Sequence, residues 1–196
     1  KLLSQIVVAA LLVNFGIKIN AIPYPLISVP ITILWIVAII NSFNLLDNMD
    51  GLSAGIASII GIVLFVFSIF DGNIDVGLPA LILTGSLLGF LKYNFNPAKI
   101  FMGDSGSMFI GFMLGAITLQ GSWKESAHVV MVLLIPMLIL AVPIFDTMFV
   151  TLMRSINSRK IFQGGKDHIS HRMVVLGLSE KKAVLALYFI SVVFGA

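Results

Sequence analysis

The sequence has 196 residues, of which 59% are hydrophobic and 11% charged, and a mean hydropathy of +1.08 places it outside the range of domains that fold in water. Lys and Arg exceed Asp and Glu by 12 to 9, for a net charge of +3. In so apolar a chain the placement of cations says more than their sum, and no reading as a nucleic-acid binder follows. The absence of Cys excludes disulfides and thiolate metal sites.

A helix needs about 20 apolar residues to cross roughly 30 Å of hydrocarbon. Apolar runs punctuated by polar residues, Gly and Pro give seven candidate spans in chain order: 2–17, 29–46, 53–70, 76–93, 107–120, 127–153 and 183–196. The expected fold is all-α, a polytopic transmembrane helical bundle of about seven spans. It forms one membrane-embedded domain over 1–196, with a cytoplasmic loop at 154–182. The fifth and seventh runs are short. The chain starts at Lys1 rather than Met and stops inside an apolar run, so truncation at both ends is expected. There is no internal repeat.

Alternating the spans sorts the cations. Lys1, Lys92, Lys99, Arg154, Arg159, Lys160, Lys166, Arg172, Lys181 and Lys182 fall on one side, with only Lys18 and Lys124 on the other. The positive-inside rule makes the first side cytoplasmic, in a plasma (inner) membrane, and nearly every polar cluster lies there. Asp71, Asp75 and Glu125 lie opposite and read as solvated loop carboxylates.

The first such cluster is Asn41-Ser-Phe-Asn44-Leu-Leu-Asp47-Asn48-Met-Asp50-Gly51, at the end of the second span. Such residues are expensive in lipid. If the helix continues, Asn44, Asp47 and Asn48 share a face with Asn41 one turn behind. The plainer alternative is that Asp47 or Asp50 caps the next helix and Asn41 joins two spans. The second cluster, residues 94–107, leads into the fifth span with Asn94, Phe101, Gly103, Asp104 and Gly106. Its glycines let a backbone approach a ligand. Asp104 either complements a helix dipole or holds a hard cation such as Mg²⁺, which favours one or two carboxylates plus phosphate oxygens. Phe101 alone reads as core.

Asp146, within Pro143-Ile-Phe-Asp146-Thr147, lies in the cytoplasmic half of the sixth span, where an acid is a functional candidate or a hydrogen-bonding partner for a neighbouring helix. The loop that follows carries Gly164-Gly-Lys166-Asp-His168-Ile-Ser-His171-Arg172. Lys166 and Arg172 suit phosphate oxygens. Two histidines without further ligands make a weak zinc signal, so polyanion contact is preferred. Positive-inside anchoring explains Arg154, Arg159, Lys160, Lys181 and Lys182.

Taken together, NSFNLLDNMDGLSAG at 41–55, NFNPAKIFMGDSGS at 94–107 and GGKDHISHR at 164–172 resemble the polyprenyl-phosphate N-acetylhexosamine-1-phosphate transferases, the membrane superfamily of MraY and WecA. His168-Ile-Ser-His171-Arg172 is more similar to the WecA and TagO branch than to MraY, which carries three adjacent histidines. The resemblance implies transfer of a sugar-1-phosphate, with N-acetylglucosamine the favoured sugar, from a UDP-sugar to undecaprenyl or another polyprenyl phosphate. UMP is released, Mg²⁺ is the cofactor with Mn²⁺ as an alternative, and the product initiates a cell-envelope glycan. Asp104 then matches a Mg²⁺-binding aspartate and Asn44 an asparagine that also contacts metal. Asn94 and Phe101 match residues that hold and stack on uracil, and Asp50 a nucleotide-pocket position. Asp47 matches a motif acid, while Lys166, His168, His171 and Arg172 match a loop facing pyrophosphate and sugar.

Two residues depart from the family pattern: Asn48 stands where Gly is common, and Ser170 where many members have a further His. The family's Asp-Asp pair, expected just before Lys1, is not in the chain, which implies that the fragment alone lacks turnover. The acids and amides suit phosphoryl transfer, which depends on positioning and charge neutralisation. Membrane lipid and polyprenyl phosphate are the implied partners besides the UDP-sugar, with a homodimer left open. An MraY-type transferase of phospho-MurNAc-pentapeptide and a non-enzymatic transporter are the rivals. The transporter lacks support because the polar residues lie at span ends, without repeats. An intramembrane aspartyl protease fits poorly, since Gly103-Asp104 and Phe145-Asp146 come in reverse order.

Overall fold

The computed structural model describes residues 1–121, 129–156, 165 and 167–195. Among these the elements are all helices: α1 (Leu2–Asn14), α2 (Pro25–Leu46), α3 (Leu52–Asp71), α4 (Ile74–Asn94), α5 (Gly103–Thr118), α6 (Val129–Ile139), α7 (Ala141–Ile156), α8 (Ile169–Val175) and α9 (Glu180–Gly195). Each of the seven apolar runs is mainly helical over its described residues, as a chain surrounded by hydrocarbon must satisfy its backbone within each segment.

The helix ends are set by particular residues. Pro25 opens α2, where its missing N–H loses nothing and its fixed φ suits the first turn. The same helix stops at Leu46 rather than running on to Asn48, because Asp47 leaves the helical region at φ −76 and ψ 53. Asn48 then turns back and its Nδ2 donates to the Leu45 carbonyl at 2.9 Å, filling an acceptor that the helix end leaves unpaired. The cap of α3 is Gly51, at φ 75, a left-handed conformation that any Cβ would oppose. Neither Asp47 nor Asp50 caps α3.

The sixth expected span is the main correction. It is two helices, α6 and α7, bent by 87°. Pro143 accounts for the break, since it has no N–H to give the Ile139 carbonyl and its ring crowds that carbonyl, so the helix fails around Leu140. The count of seven spans is not confirmed among the described residues. By length and composition α2, α3 and α4 can cross a membrane, and the bent pair adds a fourth if it is one span. At about 1.5 Å per residue, the 13 residues of α1 and the 16 of α5 fall short of the hydrocarbon thickness.

At the centre lies α3, whose Leu52, Ile56, Ile60 and Leu64 are fully buried. It packs against α4 and α9, while α2 lies along α5 through Ile36, Ile39, Leu114 and Ile117. The outer surface is apolar too: Leu26 is 90% exposed, Phe70 83% and Ile74 73%. Water would penalise such a surface, but lipid does not, and the protein is multi-pass. Polar side chains join the C-terminal ends of α2 and α4 to the N-terminal ends of α3, α5, α8 and α9, and the site is built at that end.

Candidate functional site

Asn44, in the last turn of α2, and Asp104, in the first turn of α5, meet across the α2–α5 contact. Asn44 Nδ2 donates to Asp104 Oδ1 at 3.1 Å and to Ser107 Oγ at 3.0 Å. The amide oxygen of Asn44 is thereby turned to the same side as the second carboxylate oxygen. Lys1 Nζ sits between the two, 2.6 Å from Asn44 Oδ1 and 3.1 Å from Asp104 Oδ2. An ammonium group therefore occupies a notch of two oxygens, at cation-to-oxygen distances. Donation from Asn44, followed by the hydrogen bond and charge of Lys1, holds the Asp104 carboxyl below its usual range. Asp104 precedes the apolar stretch of α5 and its side chain is largely open to water. No group of three or more His, Cys, Asp or Glu that could hold a metal ion occurs among the described residues. What the notch offers is one carboxylate and one amide oxygen, a set that fits Mg²⁺ because this ion keeps several waters and takes phosphate oxygens as further ligands.

Beside the notch, Asp47, Asn48, Met49, Asp50, Asn94, Phe101 and Met102 line a cavity of about 170 Å³. Burial, and after it the negative charge of Asp104, pushes the Asp47 carboxyl up to about 6. Asp50 braces the wall of this cavity, since its Oδ2 accepts from the Ala98 N–H at 2.9 Å and from Asn96 Nδ2 at 3.4 Å. Asn94 does likewise: buried, it accepts from the Gly51 N–H at 3.1 Å and donates to the Ile100 carbonyl at 2.9 Å. Both ends of its amide are thus committed to holding the two loops together. Phe101 is 77% exposed at the rim, a placement that its apolar ring would not take as a core residue and that leaves a face open for stacking.

The basic segment reaches the same end of the bundle. Ser170, at the start of α8, donates to Asn48 Oδ1 at 2.6 Å, so the two residues that depart from the family pattern touch each other. His168 precedes α8, is 4% exposed, and its Nδ1 lies 2.7 Å from Asp146 Oδ2. His171 stands edge-on to it with ring centroids 6.2 Å apart. Arg172 is exposed, with its guanidinium 4.8 Å above the Phe149 ring. Lys166, Arg159 and Lys160 lie outside the described residues. One chain of direct contacts therefore runs from Lys1 through Asn44 to Asp104, and a second from Asn48 through Ser170 into the histidine segment.

Several assignments change. Asn41 joins two helices, its Nδ2 donating to Gln5 Oε1 of α1 at 2.9 Å, which is the plainer of its two expected roles. Arg154 is not a membrane-surface anchor: it is 3% exposed and its Nε lies 3.2 Å from Asp167 Oδ2, fastening the loop back to α7. Lys1 belongs to the site although the sequence marked it only as one of the cytoplasmic cations, because a lone Lys at a span end carries no further signal. Tyr188 of α9, whose hydroxyl donates to the Gly51 carbonyl, was equally silent within its apolar run.

Residues 1–122 match the model of glycosyl transferase family 4. A Bacillus subtilis protein described as a probable undecaprenyl-phosphate N-acetylglucosaminyl 1-phosphate transferase is 40% identical over 99% of the chain and 56% of its own length. A decaprenyl-phosphate N-acetylglucosaminephosphotransferase of Mycolicibacterium smegmatis is 36% identical over 96% of the chain and 53% of its length. A phospho-N-acetylmuramoyl-pentapeptide-transferase of Staphylococcus aureus is 31% identical over 94% of the chain and 57% of its length. The chain thus spans about half the length of the curated relatives it matches.

Proposed function

The chain belongs to glycosyl transferase family 4, and from that premise we propose that the full-length protein transfers N-acetylglucosamine-1-phosphate from its UDP-sugar to a polyprenyl phosphate, releasing UMP. The observation that carries this reading is the notch of Asn44 and Asp104, already holding one positive charge, beside a cavity with an exposed aromatic rim. A soluble nucleotide donor and a lipid acceptor have to meet at a membrane boundary, and these groups collect at one end of the bundle. The excess of cations at that end supports a cytoplasmic orientation in the plasma membrane.

Each group has a role in keeping with its position. Mg²⁺, or Mn²⁺ in its place, bound by Asp104 and Asn44 would neutralise charge on the donor's diphosphate and on the leaving phosphate. Phe101 offers a ring face to the uracil, and Asp50 and Asn94 keep the loop that carries it in place. Arg172 supplies a forked donor pair for phosphate oxygens, and Lys166 and His171 belong to the same basic segment. Asp47, held partly protonated near pH 6, sits where a charge on the donor or acceptor would be felt. The sugar is read as N-acetylglucosamine because the relatives at 40% and 36% identity carry that name, against 31% for the muramoyl-pentapeptide enzyme.

The test is release of UMP by the full-length protein given polyprenyl phosphate and Mg²⁺, with UDP-N-acetylglucosamine compared with UDP-MurNAc-pentapeptide. The expected result is turnover of the first, and a fall of about 100-fold or more in Asp104→Asn. Undiminished turnover in that variant defeats the metal assignment, and preference for the pentapeptide donor defeats the choice of sugar.

A further inference from the structure

Asp146 is the acid that the proposed reaction leaves unused, and it is the most deeply enclosed of the site's carboxylates. It is 3% exposed. A carboxylate in such surroundings is strongly unfavourable unless its oxygens are paired, and both are: Oδ2 lies 2.7 Å from His168 Nδ1 and Oδ1 accepts from the Ile169 N–H at 2.9 Å. The pairing depends on the break between α6 and α7. Asp146 lies in the first turns of α7, just past Pro143, and the 87° bend turns this part of α7 away from the line of α6. A straight helix through Leu140 would carry the carboxylate elsewhere.

The chemistry of the pair is directional. An ionised carboxylate accepts hydrogen bonds and cannot donate, so the imidazole nitrogen facing it carries the proton. In the neutral ring this leaves Nε2 as the one bare nitrogen. We propose that Asp146 is the positioning residue for His168, fixing from the start of α7 the tautomer and heading of the imidazole. Nε2 is thereby left as a hydrogen-bond acceptor, able to take a bond from a hydroxyl or N–H of the sugar donor but not to donate to its phosphates. The proposal rests on the transferase reading, and concerns how one residue of that site is held. A purely structural role would need only the bond from Ile169 N–H to Oδ1, which an amide oxygen serves equally well. Asp146→Asn therefore keeps the bond that holds α8 and removes the charge that fixes the ring.

The experiment uses the full-length protein in detergent and combines a double-mutant cycle with ¹⁵N-histidine NMR. Asp146→Asn should lower kcat by about 10- to 100-fold, the usual scale for losing the partner that orients a ligating histidine, with KM for UDP-N-acetylglucosamine changed no more than a few-fold. In the His168→Gln background the same substitution should cost less than about twofold, because its effect passes through His168. NMR of the unsubstituted protein at pH 8 should show His168 protonated at Nδ1 and bare at Nε2. An equal loss in both backgrounds, or a His168 that is bare at Nδ1, overturns the proposal. Should Asp146→Asn fail to fold, the NMR pattern of the unsubstituted protein still decides. Absence of turnover in the unsubstituted protein defeats the transferase reading, while the His168 nitrogens go on testing the tautomer.

Discussion

Charge balance at single side chains governs how the site behaves. Asp47 and Asp104 face the same small region, and only Asp104 is compensated by Lys1 and Asn44. For Asp47 the folded value of about 6 lies above the ordinary carboxylate range. Between these values the folded state binds more protons than the unfolded one, so the stability that protonated Asp47 provides is lost as pH rises through about 6. Asp47→Asn should remove this dependence. Thermal unfolding of the full-length protein should place the variant level with the unsubstituted protein near pH 4, and about 1 kcal/mol more stable near pH 7.5 after allowance for screening at a partly open site. An equal difference at both pH values contradicts the assignment. Asn44, Asp104 and the two histidines were legible in the sequence because polar groups at the ends of apolar runs need a reason to be there. Lys1, Arg154 and Tyr188 were not, since each has a bland reading that fits equally well until the fold supplies its partner.

Among elements, the contact between α2 and α5 decides whether Asn44 and Asp104 can meet. Gly111 makes that contact close: a Cβ there would lie 2.6 Å from Ile40 Cα and 2.8 Å from the Ile39 carbonyl oxygen, both backbone atoms that cannot turn aside. Gly111→Ala should therefore destabilise the protein by about 1–3 kcal/mol. Gly89→Ala in α4, where nothing lies within 4 Å of the added methyl, should leave stability unchanged or raise it by up to about 1 kcal/mol. Comparing the two melting temperatures in one detergent tests the packing, and equal shifts contradict it. The helices themselves followed from apolar runs, whose lengths are set by composition. The end of α2 at Leu46 and the break at Leu140 did not, because each depends on one local feature: the turn at Asp47 that Asn48 closes, and the carbonyl that Pro143 leaves without a donor. Pro143 was visible, but it lay inside an apolar run, 127–153, long enough for one span.

Over the whole molecule, the apolar exterior and the polar end divide the work between two solvents. Lipid accepts the exposed Leu, Ile and Phe side chains of α1 to α4, and the polar residues are left to gather where α2 and α4 end and α3, α5 and α8 begin. All-helical architecture and this clustering were both readable from hydropathy and from the order of the three polar segments. The number of crossings was not, because a run of apolar residues fixes neither the straightness of a helix nor its length between caps.

The central claim is that a divalent cation at Asp104 and Asn44 joins the nucleotide diphosphate to the protein, and calorimetric titration of UDP tests it most directly. In the full-length protein at constant ionic strength, Mg²⁺ should tighten UDP binding at least about tenfold over EDTA, and Asp104→Asn should abolish the difference. UDP that binds equally well with and without Mg²⁺, or a variant that keeps the full effect of the metal, would contradict the account.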